Sequence, residues 1–246
     1  MYILKANGLV KQYGGRTVVD HVSYDLSEGE IVGLLGRNGA GKTTSFRMTI
    51  GMIRPEEGSV IFNGQDVTSM PMYKRAQLGM GYLAQEPSVF QRLSVEENLL
   101  AILETVPIGR AQRQRRAEEL MGQFDLRKLR RQQARTLSGG ERRKLEIARA
   151  LVTEPTLILL DEPFSNIDPV TVEELQHEIR RLRSSHGIAI LVTDHNVQRT
   201  LEIVDRAYVI FEGKVFAEGS PKAIINSEQV RKQYLGSTFR GDEFDA

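Results

Sequence analysis

The sequence predicts an α/β fold with an antiparallel β subdomain and an inserted α-helical subdomain. Three observations carry this. Short apolar runs of strand character alternate with helix-length segments before Gln85 and again after Pro155. Two runs, Thr156–Leu160 and Ile188–Thr193, are apolar enough to be parallel strands covered on both faces. Between Gln85 and Pro155 strand-type runs are missing and Arg and Glu become frequent, which marks a helical insert.

In chain order, Val22, Tyr24 and Leu26 alternate with polar residues, as in a half-buried antiparallel strand. Ile31–Leu35 is a short apolar strand that runs into a glycine-rich loop, and Lys42–Ile50 reads as a helix. Ser59–Phe62 followed by Asn63-Gly64 reads as a strand and tight turn. Gly81-Tyr82-Leu83 leads to Gln85. Helices are expected at Val95–Glu104, Ala111–Phe124 and Glu141–Thr153. Leu157–Leu160 is a strand, Val170–His186 a helix, Ile188–Thr193 a strand and Asn196–Val204 a helix. Ala207–Phe211 and Val215–Ala217 flank Glu212-Gly213-Lys214 as a hairpin. Pro221 suits a first helical turn capped by Ser220. The expected organisation is one domain over 1–246. Residues 1–85 and 156–240 form the α/β core with its antiparallel β subdomain. Residues 86–155 form the helical subdomain, and 241–246 a loose acidic tail.

Composition limits what this domain can be. At 40% hydrophobic the chain can bury a substantial core, so it is not a disordered chain. A formal net charge of +1 is too low for a protein built to coat nucleic acid, so no nucleic-acid partner is expected. Cysteine is absent, which fits a reducing compartment. The first residues lack a signal-peptide pattern, and the apolar runs are too short to cross a bilayer. A soluble, cytoplasmic chain is expected, with membrane contact only through partners. The basic stretches Arg110–Arg116 and Arg127–Arg131 read as solvated helical faces.

The chemistry starts at Gly36-Arg37-Asn38-Gly39-Ala40-Gly41-Lys42-Thr43, which an apolar strand precedes and a helix follows. Gly36, Gly39 and Gly41 let backbone N–H groups turn onto phosphate oxygens without Cβ clashes. Lys42 can reach the β- and γ-phosphates, Thr43 offers a hydroxyl to Mg²⁺, and Thr44 adds a second hydroxyl. Strand, loop, lysine and hydroxyl together predict a loop that cradles nucleotide phosphates rather than an ordinary glycine-rich turn. The strand Leu157–Leu160 ends in Asp161-Glu162, where open parallel sheets place their ligands. Asp161 is assigned to the Mg²⁺ shell and Glu162 to the attacking water, as general base or orienting group. Far from the loop, Leu137-Ser138-Gly139-Gly140-Glu141 opens another helix. Helix starts offer N–H groups and positive dipole ends to anions. Two such devices suggest ATP held between two copies of the chain.

With Ser138-Gly139-Gly140 added to the phosphate loop, the chain resembles the ATP-binding-cassette ATPases from Tyr13 to the last expected helix. The resemblance implies a RecA-like core and a head-to-tail homodimer. Each ATP then lies between one copy's Gly36–Thr44 loop and the other's Ser138–Gly140 segment. It implies that Tyr13 stacks on adenine, and that Gln85 meets Mg²⁺ and the attacking water. His195 would touch the γ-phosphate and steady the catalytic carboxylate, and Ser165–Asp168 would cross the dimer interface. Asn166 stands where many members carry a small residue. Within that family, Leu137–Leu151, Thr193–Val197, Pro87–Val95 and Tyr234–Gly236 with Phe239-Arg240 look like the lipopolysaccharide-export ATPases, the LptB family. Branched-chain amino-acid importer ATPases are the nearest alternative, but they usually carry glutamate where this chain has Asp194.

The implied activity is ATP hydrolysis that opens and closes a dimer and so drives membrane partners, at the cytoplasmic face of the inner membrane. Pro87, Val89, Phe90 and Leu93 could form a groove for a short helix of a transmembrane permease subunit, docking near Gln85–Leu93. The competing reading makes Phe90 an anchor of the helical core. An alternative of another class is a non-transport switch acting on nucleic acid or ribosomes. Such proteins usually carry two cassettes or a long coiled-coil insert, and neither is present.

Overall fold

The computed structural model describes residues 1–165 and 167–236. Asn166, the 241–246 tail, Phe239 and Arg240 lie outside the described residues.

The chain opens with a hairpin of β1 (Tyr2–Tyr13) and β2 (Arg16–Ser27). Val22, Tyr24 and Leu26 of β2 are buried, as their alternation predicts. β1 breaks alternation: Gly8 is left-handed, the register slips between Ala6 and Leu9, and adjacent pairs Ile3-Leu4 and Leu9-Val10 are both buried. β3 (Ile31–Gly36) is buried at every position and delivers the glycine loop to α1 (Lys42–Ile50). β4 (Glu57–Phe62) and β5 (Gln65–Asp66) turn at Asn63-Gly64. A short α2 (Met72–Gln77) follows. Its buried Arg75 donates to the carbonyls of Met48, Thr49, Thr68 and Met70, and so ties down the end of α1.

β6 (Met80–Leu83) leads into the helical segment, where α3 (Val95–Leu103), α4 (Arg110–Gln123) and α5 (Gly139–Ala150) fall within a few residues of the expected helices. Ser94 starts α3 with a capping box to Glu97. β7 (Leu157–Asp161), α6 (Pro169–His186), β8 (Ala189–Thr193) and α7 (Val197–Leu201) resume the alternation. α7 stops short of the expected Val204. The chain must turn there so that Asp205 can accept from the Ile31 N–H and donate its own N–H to the Ile31 carbonyl. β9 (Arg206–Phe211) and β10 (Lys214–Gly219) form the expected hairpin. α8 (Pro221–Asn226) is capped by Ser220, α9 (Glu228–Val230) by Ser227, and a π-helical turn, Arg231–Leu235, closes the described chain.

The strands form two sheets. One has the order β2-β1-β4-β5 and is antiparallel; the other has the order β10-β9-β3-β8-β7-β6 and is parallel except for the β9–β10 edge. The larger sheet is covered on both faces. Ile31, Leu35, Ile158 and Leu160 face the core shared with α3–α6, while Val32, Leu34, Leu157 and Leu159 face the core shared with α1 and the smaller sheet. β3, β7 and β8 therefore all end on one rim, which positions the phosphate loop, Asp161-Glu162 and Asp194-His195 together. Among the described residues no helix is long and apolar enough to cross a membrane.

Candidate functional site

The phosphate loop is shaped by its glycines. Gly36, Gly39 and Gly41 all have φ in the left-handed range. A Cβ on Gly36 would stand 2.4 Å from the Ile210 carbonyl oxygen, and one on Gly41 2.7 Å from that of Val18. Gly41 caps α1 without a side chain, so the first N–H groups of α1 are left for another acceptor. Lys42 is buried, and its Nζ donates to Gly36 O at 2.6 Å and Arg37 O at 3.1 Å. Burial pulls its pKa down, against the opposing pull of Glu162, Asp161 and Asp194. Thr43 and Thr44 are half-buried in the first turn. A cleft of about 590 Å³ is lined by Arg37, Asn38, Gly39 and Ala40 of the loop and by Arg16, Thr17 and Glu212. Tyr13 stands at the end of β1, half exposed, with the Lys11 ammonium 5.6 Å from its ring centre.

Asp161 is buried at the end of β7. Burial, then the neighbouring Glu162 carboxylate, pushes its pKa up. The Tyr82 hydroxyl donates to Oδ2 at 3.4 Å, but Oδ1 is buried with no hydrogen-bond partner. An orphaned anionic oxygen is the atom a cation would satisfy. Thr43, Asp161 and the Gln85 amide oxygen are hard oxygen donors of the kind Mg²⁺ takes together with substrate phosphates. No cluster of three or more His, Cys, Asp or Glu able to hold a metal occurs among the described residues, so phosphate oxygens would have to complete the shell.

Glu162 has φ 48, a strained value for a residue with a Cβ. Its N–H donates to Thr193 O at 2.7 Å. Three groups gather on its Oε2. Gln85 Nε2 and Ser165 Oγ each donate at 2.9 Å, and His195 Nδ1 stands 3.5 Å away. Asp194, wholly buried, accepts from the Phe164 and Asn196 N–H groups, lies 3.3 Å from His195 Nδ1, and has its pKa raised by burial. This constellation sets a carboxylate and an imidazole side by side, too close for a water between them, so that both can face one water at the rim.

The turn carrying Glu162 is held from below by Arg143 of α5. Arg143 is buried and donates to the carbonyls of Ala84, Asp161, Glu162 and Pro163 and to Glu146 Oε2. That uses all five guanidinium N–H groups. Glu146 in turn accepts from the Ser88 N–H, and Arg149 donates to the Ser88 carbonyl. Sequence reasoning missed Arg143 and singled out Ser165 only as part of an interface loop. Arg143 sits in a run of basic residues in which nothing marks the buried one except the Glu three positions on.

Ser138 caps α5 by accepting from the Glu141 N–H, and Glu141 Oε2 returns the bond to the Ser138 N–H. Gly140 packs on Thr171, where a Cβ would stand 2.6 Å from the Thr171 methyl. No hydrogen bond among the described residues joins Ser138, Gly139 or Gly140 to the 36–44 loop of the same chain. The structure brings Lys42, Gln85, Asp161, Glu162 and His195 to one rim, and Gly139 lines a small pocket beside Gln85, Glu162 and Ser165.

Beyond the rim, Val89 is buried, whereas Phe90 is 45% exposed, with the Arg149 guanidinium 4.6 Å from its ring centre. The Asn98 amide holds the backbone of Phe90 from both sides. Val89 therefore anchors this loop in the core, and Phe90 does not.

A family model described as ABC transporter matches residues 19–165. This chain belongs to the ABC transporter family. It is an ATP-binding cassette, an ATPase of the kind that drives transport. The cassette is 50% identical over 97% of its length to the lipopolysaccharide export system ATP-binding protein LptB of Acidithiobacillus ferridurans, covering 98% of that protein. It is 47% identical over 98% of its length to LptB of Escherichia coli strain K12, covering all of it. It is also 51% identical over 96% of its length to a probable ABC transporter ATP-binding protein of Azorhizobium caulinodans, covering 84% of that protein. Among solved structures it is similar to the ADP conformation of MJ1267, an ATP-binding cassette of an ABC transporter. There the TM-score is 0.86 at 28% identity, over 96% of this chain and 99% of that one.

Proposed function

We propose that the cassette is the ATP-hydrolysing subunit of a lipopolysaccharide exporter, peripheral on the cytoplasmic face of the inner membrane. Its likeness to two LptB proteins over nearly all of each chain supports the cargo. Two copies pair head to tail around two ATP. In each site Tyr13 stacks on adenine, and the N–H groups of Gly36–Thr44 with Lys42 neutralise the phosphates. Ser138, Gly139 and Gly140 of the second copy close the far side. Thr43, Gln85 and Asp161 would hold Mg²⁺, which supplies charge neutralisation on the phosphate oxygens. Residues 1–85 and 156–240 serve as the nucleotide-binding body, and 86–155 as the lobe that carries the Ser138 segment.

Phosphoryl transfer to water demands alignment and charge compensation more than covalent chemistry. Glu162 takes or orients the water's proton, with its carboxylate fixed by Gln85, Ser165 and His195. Gln85 opens the loop that ends at Phe90, so an event at the loop is felt at the carboxylate. Permease subunits dock there, on Phe90 and the adjoining Pro87 and Leu93, because an exposed aromatic stacked on an arginine is a ready anchor.

The observation that carries the hydrolytic reading is the convergence of Gln85, Ser165 and His195 on Glu162 Oε2. Glu162→Gln keeps the geometry and removes the anion. It should bind ATP as the parent does, lose turnover by about 10²–10⁴-fold, and elute as an ATP-dependent dimer in size-exclusion chromatography. A variant that stays monomeric with ATP and hydrolyses at the parental rate refutes the assignment.

A further inference from the structure

The described chain ends next to the phosphate loop. After α8 and α9 bury Ile224, Ile225 and Val230, the π-helical turn Arg231–Leu235 is closed by the Gly236 N–H donating to the Arg231 carbonyl at 2.8 Å. π-Turns are rare and cluster at functional positions. This one aims Tyr234 at the end of β3. The Gly36 N–H donates to the Tyr234 hydroxyl oxygen at 2.9 Å. Gly36 is the first residue of the phosphate loop, and its carbonyl is the closer of the two acceptors of the Lys42 ammonium. One residue thus takes the tyrosine on its N–H and the phosphate-binding lysine on its carbonyl.

Gly36 has little freedom to find another partner. It pairs with Ile210 in the parallel β3–β9 register, and the Ile210 carbonyl leaves no room for a Cβ. Burial pushes the Tyr234 phenol up to about 12, so it stays a neutral hydroxyl across the physiological range. Tyr234 lies outside residues 19–165, the span matched by the family model.

We propose that Tyr234 is a positioning residue of the ATP site, which sets the Gly36 backbone from behind and makes the C-terminal turn respond to nucleotide. The proposal rests on the ATPase reading and extends it to a segment outside the phosphate loop. Without the hydroxyl, the Gly36 N–H is left unpaired, and the loop must shift to reach water. The shift loosens the carbonyl that aligns Lys42. Linkage requires the reverse as well: nucleotide that fixes the loop must tighten the Tyr234 turn by the same factor.

The test is Tyr234→Phe in the full chain, with Tyr208→Phe as the control. The Tyr208 hydroxyl also accepts from a backbone N–H, that of Asp25, and from the Arg206 guanidinium, but lies on β9 outside the loop. Mg·ATP affinity is measured by titration calorimetry, KM and kcat by phosphate release, and hydrogen exchange over Arg231–Gly236 with and without a non-hydrolysable ATP analogue. Tyr234→Phe should weaken Mg·ATP binding and raise KM about tenfold, with kcat within about twofold of the parent. The analogue should slow exchange over Arg231–Gly236 in the parent, and less so in the variant. Tyr208→Phe should leave both readouts at parental values. Parental affinity and KM in Tyr234→Phe, or equal loss in both variants, would overturn the proposal and leave the ATPase reading standing. A parent that binds no Mg·ATP would overturn both.

Discussion

Two helices of this cassette begin at glycine-rich segments and treat their first N–H groups in opposite ways. α1 starts at Gly41 with no side-chain cap, so its donors await a ligand. α5 starts at Ser138 with a reciprocal capping box, so part of its donor set is already satisfied within the chain. The first terminus is an anion site in its own right. The second is a rigid edge on which Gly139 and Gly140 are the exposed and the packed N–H carriers. The difference supports the proposal that α1 grips phosphate within one chain while α5 is offered to a second copy.

The harshest way to break this contrast is Gly41→Ala. The Cβ would collide with the Val18 carbonyl at a left-handed φ, so the loop cannot keep its shape. ATP binding should fall below detection in a calorimetric titration, about 10²-fold or more, with Tm lowered as well. Ser138→Ala should do the reverse. It removes the cap at a cost of about 1 kcal/mol, which lowers Tm by about 2–4 °C in a chain of this size. ATP binding by the single chain stays parental, while ATP-dependent dimerisation in size-exclusion chromatography and hydrolysis both drop. Equal loss of single-chain ATP binding in the two variants would abolish the distinction.

The smallest effect is one of pH. The folded-state pKa of Asp161 is raised, by burial first and Glu162 second. Its folded form therefore holds a proton that the unfolded form has lost, and stability falls as pH rises from the ordinary aspartate range through the raised value. Asp161→Asn removes that fall. Its Tm should exceed the parent's at neutral pH, with the gap closing as the pH drops through the window, read by calorimetry without nucleotide. Hydrolysis should be lost in the same variant.

Much of this was legible from residue order alone. The strand Ile31–Leu35, the glycine loop and α1 announce themselves because periodicity, turn chemistry and the lysine agree. The same holds for Leu157–Leu160 with Asp161-Glu162. β1 did not announce itself, because the slip at Asn7-Gly8 destroys the alternation that would reveal it. α2 was missed because Met72–Gln77 is mostly exposed and too short to show a period. Arg143 was hidden because burial of a guanidinium depends on carbonyls from two distant segments, Ala84 after β6 and the turn after β7. Residue order offers Phe90 two readings, and its exposure rules out the core anchor.

The ammonium of Lys42 has one further consequence. It is buried by the fold and cradled by two carbonyls of its own loop. The desolvation of that charge was therefore met when the chain folded, not when the triphosphate binds. An incoming nucleotide meets an oriented positive charge with little solvent left to rearrange, so recognition and the first share of electrostatic catalysis draw on the same folded-state investment.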